Sequence, residues 1–446
     1  MRTYGMLMRV CLTLSVIFGL TGEKTYAAQC PCDIYAAGGT PCVAAHSTVR
    51  ALYSTYNGPL YQVRRTSDNK TQDIGVLSPG GFANAALQDS FLNGKAGTVS
   101  KIFDQSPKGN HLLVTPAGGL FMPQGAKESV VNTQAKIKVN GHTVYGIYMN
   151  PGDGYRNNKT TGVATANDSE GMYMVCDGKH YSYNCCFDYG NAQTNMHDNG
   201  NATMECIYWG SLDKWGHGSG KGPWIMNDCE NGLQAGVDPN GTLGVWAGNT
   251  PITADYVTGT LKSKTANFWE MRGGDATGKL KTMYSGRQYP GWYPKHLEGA
   301  VVLGTGGDNS NGSGGTFFEA AMVMGCPSDT VEDSVQANIA AAGYGRTTTS
   351  TRFNTIDAIP ASSFKAHYNP SIGNAVISYT VSGARRVTLN IVDQRGRRVA
   401  VIESGVVAEG GHVAVWDAKR VPAGVYVWKM IVDGQGGWSG KVAVGK

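Results

Sequence analysis

Short runs of apolar, aromatic and β-branched residues are separated by clusters of Gly, Asn and Asp throughout residues 29–345. Residues 143–148 and 204–208 are two examples of such runs. The pattern is typical of short strands joined by tight turns. It predicts an all-β fold, a sandwich or a barrel, for this large part of the chain.

One segment has helical periodicity instead. Val331, Val335 and Ile339 recur at four-residue spacing behind Pro327. This spacing predicts an amphipathic helix over about residues 330–341. We expect the helix to pack on the outside of the sheets.

The pattern changes again after residue 345. Residues 346–365 are rich in Thr and Ser and contain Pro360, which predicts a linker. Apolar and polar positions then alternate in five runs, at residues 375–381, 387–393, 399–402, 412–416 and 425–431. Residues 366–446 are therefore predicted to form a second, smaller β-sandwich of immunoglobulin-like type.

The N-terminus has the layout of a secretory signal peptide. Arg2 and Arg9 precede an apolar run over residues 10–20, and the small residues Ala27 and Ala28 follow it. We therefore assign residues 1–27 to a signal peptide. The run is too short for a membrane span, and no later stretch is long enough for one. The sequence thus predicts a secreted chain without a membrane span, in a compartment that permits disulfides.

Composition narrows the function classes. The chain has 62 Gly among 446 residues and only 16% charged residues, which excludes a coiled coil and a charged disordered tail. The formal net charge is +5. Eleven basic and five acidic residues, a net of +6, lie within residues 365–446, so residues 28–364 are close to neutral. A near-neutral domain suits an uncharged ligand such as a sugar, and the dispersed basic charge argues against a nucleic-acid partner.

Residues 215–232 carry the strongest candidate chemistry. Trp215 lies in a Gly-rich loop before a strand-like run in which Asp228 and Glu230 flank Cys229. Because side chains alternate along a strand, both carboxylates are predicted to project from one face. An indole can cover the C–H face of a sugar while one carboxylate binds hydroxyls and the other acts at the anomeric carbon. The alternative is a strand end with solvated acids.

A third carboxylate, Asp308, lies in a Gly-rich loop at residues 304–315, after the apolar run 300–303. The glycines would let a ligand approach the backbone. An ordinary turn is the alternative, and a calcium loop is disfavoured because few carboxylates lie nearby. Glu205 and Glu319 lie in aromatic-rich runs, and each either lines the same cleft or is a structural acid.

Nine cysteines follow the signal peptide, so at least one has no partner within the chain. Cys32 and Cys42 close a short loop and are predicted to form a disulfide. The adjacent Cys185 and Cys186 either bond elsewhere or form a vicinal ring. The sequence leaves the pairing of five others open: Cys30, Cys176, Cys206, Cys229 and Cys326.

Several enzyme classes lack their motifs. The nine His residues form no His-x-x-x-His grouping, and no Cys-x-x-Cys occurs, so we expect neither a catalytic metal nor a cofactor. A Gly-x-Ser-x-Gly elbow is also missing, which disfavours a serine hydrolase.

Five segments, taken in order, resemble the catalytic domain of glycoside hydrolase family 54, the α-L-arabinofuranosidase B type. They are residues 32–48, 56–65, 185–192, 222–232 and 306–311. The resemblance covers residues 30–345, within the domain predicted at 28–345. It implies a concanavalin- or lectin-like β-sandwich and a retaining mechanism with two carboxyl groups about 5 Å apart.

The resemblance also implies residue roles. The residue matching Glu230 is the nucleophile, and the one matching Asp308 is the general acid/base. The sugar-binding positions of the family fall on Trp215, Asp228, Asn231 and the backbone at Gly307. Its vicinal disulfide, which packs against the arabinose, falls on Cys185 and Cys186.

The C-terminal part departs from fungal members of the family, which carry a β-trefoil there. Residues 366–446 are instead similar to the C-terminal sorting or flagellar-hook-type Ig-like domains of some bacterial secreted enzymes, chiefly over residues 387–399, 415–417 and 422–427. That similarity implies contact with secretion machinery or the cell surface. A passive stabilising module is the alternative.

Together these features predict a secreted, retaining exo-α-L-arabinofuranosidase that removes terminal arabinofuranosyl residues from plant cell-wall polysaccharides such as arabinan and arabinoxylan. A furanosidase of relaxed specificity that also accepts xylosides is one alternative. A lectin-like binding protein without turnover is the other.

Overall fold

The computed structural model describes residues 29–238, 242–346, 365–369, 373–381, 385–394, 397–407, 410–419, 421–432 and 439–445. The predicted signal peptide at 1–27 and residues 347–364 of the predicted linker lie outside these residues. The chain divides into two compact units, Met1–Thr347 and Thr348–Lys446. Among the described residues, no helix is both long and apolar enough to cross a membrane.

The first unit is built mainly from short strands, as its sequence pattern predicts. Over the described residues these are, in chain order, β1 (Cys42–Ser47), β2 (Pro59–Arg65), β3 (Thr71–Gly75), β4 (Gly97–Ile102), β5 (Leu112–Val114), β6 (Lys136–Val139), β7 (His142–Tyr145), β8 (Ile147–Met149), β9 (Tyr155–Asn157), β10 (Glu170–Asp177), β11 (Asp188–Ala192), β12 (Glu205–Gly210), β13 (Trp224–Asp228), β14 (Leu233–Gln234), β15 (Tyr256–Lys264), β16 (Phe268–Asp275), β17 (Lys281–Gly286), β18 (Ala300–Leu303), β19 (Gly315–Met324) and β20 (Tyr344–Arg346).

Two large antiparallel sheets form a sandwich. The seven-stranded sheet has the order β1-β19-β10-β15-β16-β17, with β8 also paired to β19, and the ten-stranded sheet has the order β14-β13-β12-β11-β18-β9-β5-β4-β2-β3. Large side chains from both sheets share one buried core, for example Tyr173 and Trp269 from the first and Tyr189 and Trp209 from the second. The rings of Tyr189 and Phe317 stack with centroids 6.2 Å apart. The predicted all-β sandwich is confirmed.

Side chains alternate between the two faces along β11, β12 and β13 of the ten-stranded sheet. Tyr189, Ile207 and Ile225 point into the sandwich core. In the strand register, Asp188 is opposite Tyr208 and Asp228 is opposite Cys206. Because successive side chains of a strand point to opposite faces, Asp188 and Asp228 both lie on the outer face, away from the core. This outer face carries the candidate site.

The predicted helix near residue 330 is confirmed as α3 (Asp329–Ala342). The Ser328 side chain accepts a hydrogen bond from the Val331 amide at its start, and Gly343 ends it in the left-handed conformation. Val335 and Ile339 face the core, and Glu332 reaches Lys262 of β15 at 2.9 Å. The helix therefore packs against the seven-stranded sheet.

Two other helices are absent from the sequence-based prediction, α1 (Pro31–Ala37) and α2 (Ala85–Leu92). Both are about two turns long, so neither contains enough residues to display a clear 3.6-residue period. A single 3₁₀ turn, Thr133–Ala135, precedes β6.

The predicted strand at residues 143–148 is wrong in one respect, because the chain changes sheets at Gly146. β7 pairs with β6, whereas β8 pairs with β19. A Cβ at Gly146 would lie 2.7 Å from the Phe317 carbonyl oxygen and 2.6 Å from the Phe318 ring. The glycine thus allows the close backbone approach at this crossing.

The second unit consists of strands throughout its described residues: β21 (Lys365–Asn369), β22 (Asn374–Val381), β23 (Arg385–Val392), β24 (Arg398–Val407), β25 (Gly410–Asp417), β26 (Gly424–Val432) and β27 (Ser439–Val444). They form a three-stranded sheet, β21-β22-β25, and a four-stranded sheet, β24-β23-β26-β27. Tyr379, Trp416 and Trp428 lie in their shared core. All five predicted runs are strands, whereas β21 and β27 were not predicted. The two end residues of the predicted linker, Arg346 and Lys365, lie in β20 and β21.

Candidate active site

A cavity of about 920 Å³ lies on the outer face of the ten-stranded sheet. This volume suits a sugar-sized ligand with part of a neighbouring residue. The cavity brings together all eight residues selected from the sequence as catalytic or sugar-binding: Cys185, Cys186, Trp215, Asp228, Glu230, Asn231, Gly307 and Asp308.

Glu230 does not share a strand face with Asp228, so that part of the sequence prediction is wrong. Strand β13 ends at Asp228, and Glu230 and Asn231 both adopt the left-handed conformation, with φ of 68° and 56°. The turn folds Glu230 back, and its amide donates a hydrogen bond to Asp228 Oδ1 at 3.2 Å. The two carboxyl groups therefore meet through a turn rather than through strand alternation.

Glu230 is only 6% exposed and belongs to a buried acidic cluster. Burial, together with the negative charges of Asp228 and Asp308, raises the pKa of Glu230 to about 9. The Gln193 side-chain amide donates a hydrogen bond to Glu230 Oε2, which opposes this shift. Gln193 is held in turn by Thr203 Oγ1 at 2.8 Å.

Asp308 follows β18 in a loop that is fixed by its own main chain. Asp308 Oδ1 accepts a hydrogen bond from the Ser310 amide at 2.8 Å, and its carbonyl accepts one from the Phe121 amide at 3.2 Å. A Cβ at Gly307 would collide with Gln193 and lie 2.9 Å from Glu230 Oε2. Glycine at this position therefore allows the Asp308 loop to close against Glu230.

Asp228 lies against the two adjacent cysteines. Cys185 and Cys186 are joined by a disulfide, and Asp228 Oδ2 is 3.3 Å from Cys186 Sγ and 3.8 Å from Cys185 Sγ. Burial raises the pKa of Asp228 to about 7, and hydrogen bonds from Asp188 and the Glu230 amide oppose the shift. The disulfide thus forms one wall of the cavity beside an acidic group.

The remaining predicted residues form the rim. The Trp215 ring is 41% exposed and has Lys214 Nζ 5.0 Å from its centroid. The Asn231 side-chain amide donates to Asp198 Oδ1 at 3.1 Å and to Asn201 Oδ1 at 3.3 Å. An exposed indole beside buried carboxyl groups can hold the apolar face of a sugar while they bind its hydroxyls.

Glu205 and Glu319 are structural acids, the second of the two alternatives left open by the sequence. Glu319 forms a buried ion pair with Arg50 at 2.6 Å, and Glu205 Oε2 lies 3.2 Å from Lys295 Nζ. Neither residue lines the cavity.

Three buried residues beneath the cavity were missed by the sequence reasoning: Arg156, Asp188 and Gln193. Arg156 donates hydrogen bonds to the Gly307 carbonyl at 3.0 Å, to Asn309 Oδ1 at 2.7 Å and to the Gln193 carbonyl at 2.6 Å. For two of them, Asp188 and Gln193, the sequence did contain a signal. Asp188 lies within the family-like segment at 185–192, and Gln193 follows it directly.

The described residues contain two groups of possible metal ligands. In the first, Cys185, Cys186 and Asp228, the sulfurs are bonded to each other. In the second, Glu270, Asp329 and Glu332, the carboxylates surround the Lys262 ammonium group at 2.5–3.0 Å. Neither group presents a set of free ligands.

Cys32 and Cys42 are also joined by a disulfide. The five cysteines whose pairing the sequence left open are free thiols here: Cys30, Cys176, Cys206, Cys229 and Cys326. All except Cys326 are buried.

Residues 31–345 match the family model described as "Alpha-L-arabinofuranosidase B, catalytic". The chain is 51% identical over 331 residues to a probable α-L-arabinofuranosidase B of Aspergillus fumigatus, covering 73% of this chain and 64% of that protein. It is equally similar, at 51% over 331 residues, to an α-L-arabinofuranosidase of Hypocrea jecorina, covering 73% and 65%. The match thus spans slightly under two thirds of these relatives.

Solved structures give the same result. An arabinofuranosidase complexed with arabinofuranosyl-α-1,2-xylobiose superposes with a TM-score of 0.69 at 42% identity, covering 83% of this chain and 76% of that one. A family 54 α-L-arabinofuranosidase mutant soaked with 4-nitrophenyl α-L-arabinofuranoside also gives 0.69 at 42% identity, covering 80% and 73%. The chain therefore belongs to the family of α-L-arabinofuranosidase B catalytic domains, glycoside hydrolase family 54.

Proposed function

We propose that the protein is a retaining exo-α-L-arabinofuranosidase in which Glu230 is the nucleophile and Asp308 the general acid/base. The observation that carries this proposal is the pair of buried carboxyl groups at one cavity, each on its own loop. Burial, and after it the charges of Asp228 and Asp308, raises the pKa of Glu230 to about 9, which favours a state in which the pair holds a proton. Retaining hydrolysis begins from such a state, with one ionised and one protonated carboxyl group.

In the first step Asp308 protonates the glycosidic oxygen while a Glu230 oxygen attacks the anomeric carbon. The bond to the leaving group breaks, and an arabinosyl ester of Glu230 forms. In the second step Asp308 removes a proton from water, which attacks the same carbon and releases Glu230. Protonation of Asp308 removes one of the negative charges that raise the pKa of Glu230, so it favours the ionised nucleophile.

The rest of the cavity binds the sugar. We assign the apolar face of the furanose to Trp215, its hydroxyls to Asp228, Asn231 and the Gly307 backbone, and its remaining face to the Cys185–Cys186 disulfide. Buried acceptors discriminate strongly between hydroxyl patterns, because a sugar lacking the matching hydroxyl leaves them unpaired.

The proposed substrates are terminal arabinofuranosyl branches of plant cell-wall polysaccharides such as arabinan and arabinoxylan, outside the cell. One relative, from Trichoderma koningii, is named an arabinofuranosidase/β-xylosidase and is 51% identical over 331 residues. That name favours relaxed specificity toward xylosides as the second candidate activity. Residues 366–446 are proposed to be an Ig-like domain for export or surface attachment, and their two small sheets are compatible with that role.

The test is hydrolysis of 4-nitrophenyl α-L-arabinofuranoside by the purified full chain, with the product anomer followed by NMR. We expect the α-anomer to be released first. Glu230→Gln should abolish turnover, since no ester can form. Asp308→Asn should slow a substrate with a poor leaving group far more than the nitrophenyl substrate, which needs little acid assistance. Failure of the wild-type protein to release arabinose would instead favour the lectin-like alternative.

A further inference from the structure

Asp188 is a buried carboxyl group that the mechanism above does not use. It begins β11 on the outer face of the ten-stranded sheet, and its side chain is fully buried. Within the part of the chain that the structure describes, neither carboxyl oxygen receives a hydrogen bond from a conventional donor. An ionised carboxylate in such a place would be strongly destabilising, since burial without a donor leaves its charge uncompensated.

The side chain that Asp188 does contact is another acid, Asp228. Their side-chain contact lowers the pKa of Asp228 while it raises that of Asp188, as expected where one carboxyl group donates to the other. Burial is the largest cause of the raised pKa of Asp188, followed by the charges of Asp228, Asp308 and Glu230. A hydrogen bond between two carboxyl groups requires a proton, so Asp188 is the protonated donor and Asp228 the acceptor.

Asp188 is also linked to both loops of the site, to one directly and to the other through Asp228. Its carbonyl accepts a hydrogen bond from the Gly304 amide at 2.8 Å, at the start of the loop that carries Asp308. Through Asp228, whose Oδ1 binds the Glu230 amide, it supports the turn that carries Glu230. The residue therefore connects the two candidate catalytic loops from beneath.

We propose that Asp188 is a positioning residue that stays protonated during turnover and donates a hydrogen bond to Asp228, so that Asp228 remains an ionised acceptor for the sugar hydroxyls. This inference rests on the proposed function. Carboxylic acids kept neutral by an apolar site in order to donate a hydrogen bond are known in other enzymes. The other ionisable groups around the pair are Glu230, Asp308, the Tyr208 hydroxyl and the thiols of Cys206 and Cys229, with Arg156 and Asp198 next to Glu230.

Two matched variants separate this role from a packing role. Asp188→Asn keeps the shape and a donor that cannot ionise, so we expect kcat/KM on an arabinofuranoside to stay within about threefold of the wild type. Asp188→Leu keeps the branching at Cγ without a donor. It should lower kcat/KM by about 10- to 100-fold, the usual value of one hydrogen bond to a charged group.

The pH profile gives the decisive difference. Loss of the donor should raise the pKa of Asp228, so the acidic limb of kcat/KM should move to higher pH in Asp188→Leu and stay in place in Asp188→Asn. Equal losses in both variants with an unchanged profile would overturn the proposal. A wild-type protein without hydrolytic activity would instead overturn the proposed function.

A spectroscopic measurement covers the case in which Asp188→Leu does not fold. The infrared spectrum of the wild-type protein at neutral pH should contain a carbonyl stretch from a protonated carboxyl group. Asp188→Asn should lose one such band. Its persistence at full intensity in Asp188→Asn would show that the proton is elsewhere and would overturn the proposal without any measurement of activity.

Discussion

The guanidinium group of Arg156 donates a hydrogen bond to the carbonyl of Gly307, the residue that precedes Asp308. The same side chain binds the Gln193 carbonyl, and the Gln193 side chain binds Glu230. Burial lowers the pKa of Arg156 to about 10, while attraction to Asp308 and Glu230 opposes the shift. One buried cation thus connects both candidate catalytic loops.

Replacing Arg156 by Lys should therefore impair turnover, although the charge is kept. An ammonium group cannot reach the four acceptors that the planar guanidinium binds, of which the fourth is Asn158 Oδ1 at 2.6 Å. Each lost hydrogen bond to a charged group is worth roughly 1.5–3 kcal/mol. We expect kcat/KM to fall about 100-fold or more, measured with a chromogenic arabinofuranoside.

The partly exposed Arg64, which pairs with Glu128 at 3.0 Å, provides the control. Arg64→Lys should change kcat/KM by less than about twofold, because exposed ion pairs contribute little. If Arg156→Lys retains activity comparable with that of Arg64→Lys, Arg156 does not hold the two candidate catalytic loops in place.

Glu230→Gln should stabilise the free protein while it abolishes turnover. The folded-state pKa of Glu230 is raised to about 9 from a usual value of 4.5. Its protonated form is therefore favoured in the fold, and the resulting stability is complete below pH 4.5 and is lost as pH rises toward 9. The amide carries no charge, so its advantage over wild type should grow across that range.

Chemical unfolding at pH 5 and pH 8 measures the effect. At pH 8 the difference in free energy of unfolding should be on the order of 3 kcal/mol in favour of Glu230→Gln, and it should be smaller at pH 5. Asn231→Gln, at the neighbouring left-handed position, is a control without a change in charge. A difference between Glu230→Gln and the wild type that does not vary with pH would contradict the prediction.

Glu319, in contrast to Glu230, should be needed for stability and not for turnover. Its carboxylate is fully buried, pairs with Arg50 and accepts a further hydrogen bond from Tyr173 at 3.3 Å. Glu319→Ala would leave the buried guanidinium uncompensated, a change that typically costs 3–5 kcal/mol. Thermal unfolding should show this loss, and kcat at a temperature where the variant is folded should stay within about twofold of wild type.

The strands of the first unit were readable from the sequence as short apolar and aromatic runs between turn residues. Residues 204–208 show this pattern without knowledge of pairing, and the strand there, β12, is buried along its whole length. The sheet change at Gly146 was not readable, since it depends on contact with Phe317 and Phe318, more than 170 residues away in the chain. Resemblance to the family supplied the site residues that local reasoning could not.

The limits of local reasoning are visible at Glu230. Strand alternation put Asp228 and Glu230 on one face, but the strand ends between them and a left-handed turn brings them together. The role of Arg156 could not be predicted either. A charged residue in a short strand gives no sign that it will be buried, with its side chain bound to the carbonyls of Gln193 and Gly307. Such groups emerge only when long-range contacts are known.

Phe121 lies where its side chain can affect specificity for the leaving group of the substrate. Its ring is 62% exposed at the edge of the cavity, and its amide donates a hydrogen bond to the Asp308 carbonyl. In the proposed mechanism Asp308 protonates the leaving oxygen, so the residue beside Asp308 faces the part of the substrate that leaves. A ring fixed there can stack on the sugar that bears the arabinose.

Phe121→Ala should therefore raise KM for an arabinosylated xylo-oligosaccharide by about 5- to 10-fold, the value of one stacking contact of roughly 1 kcal/mol. Methyl α-L-arabinofuranoside has no such sugar, so its kcat/KM should be unchanged. Phe121→Tyr keeps the ring and should resemble the wild type on both substrates. Equal losses on the methyl glycoside and the oligosaccharide would place Phe121 in support of Asp308, since only an aglycone contact can affect one substrate and spare the other.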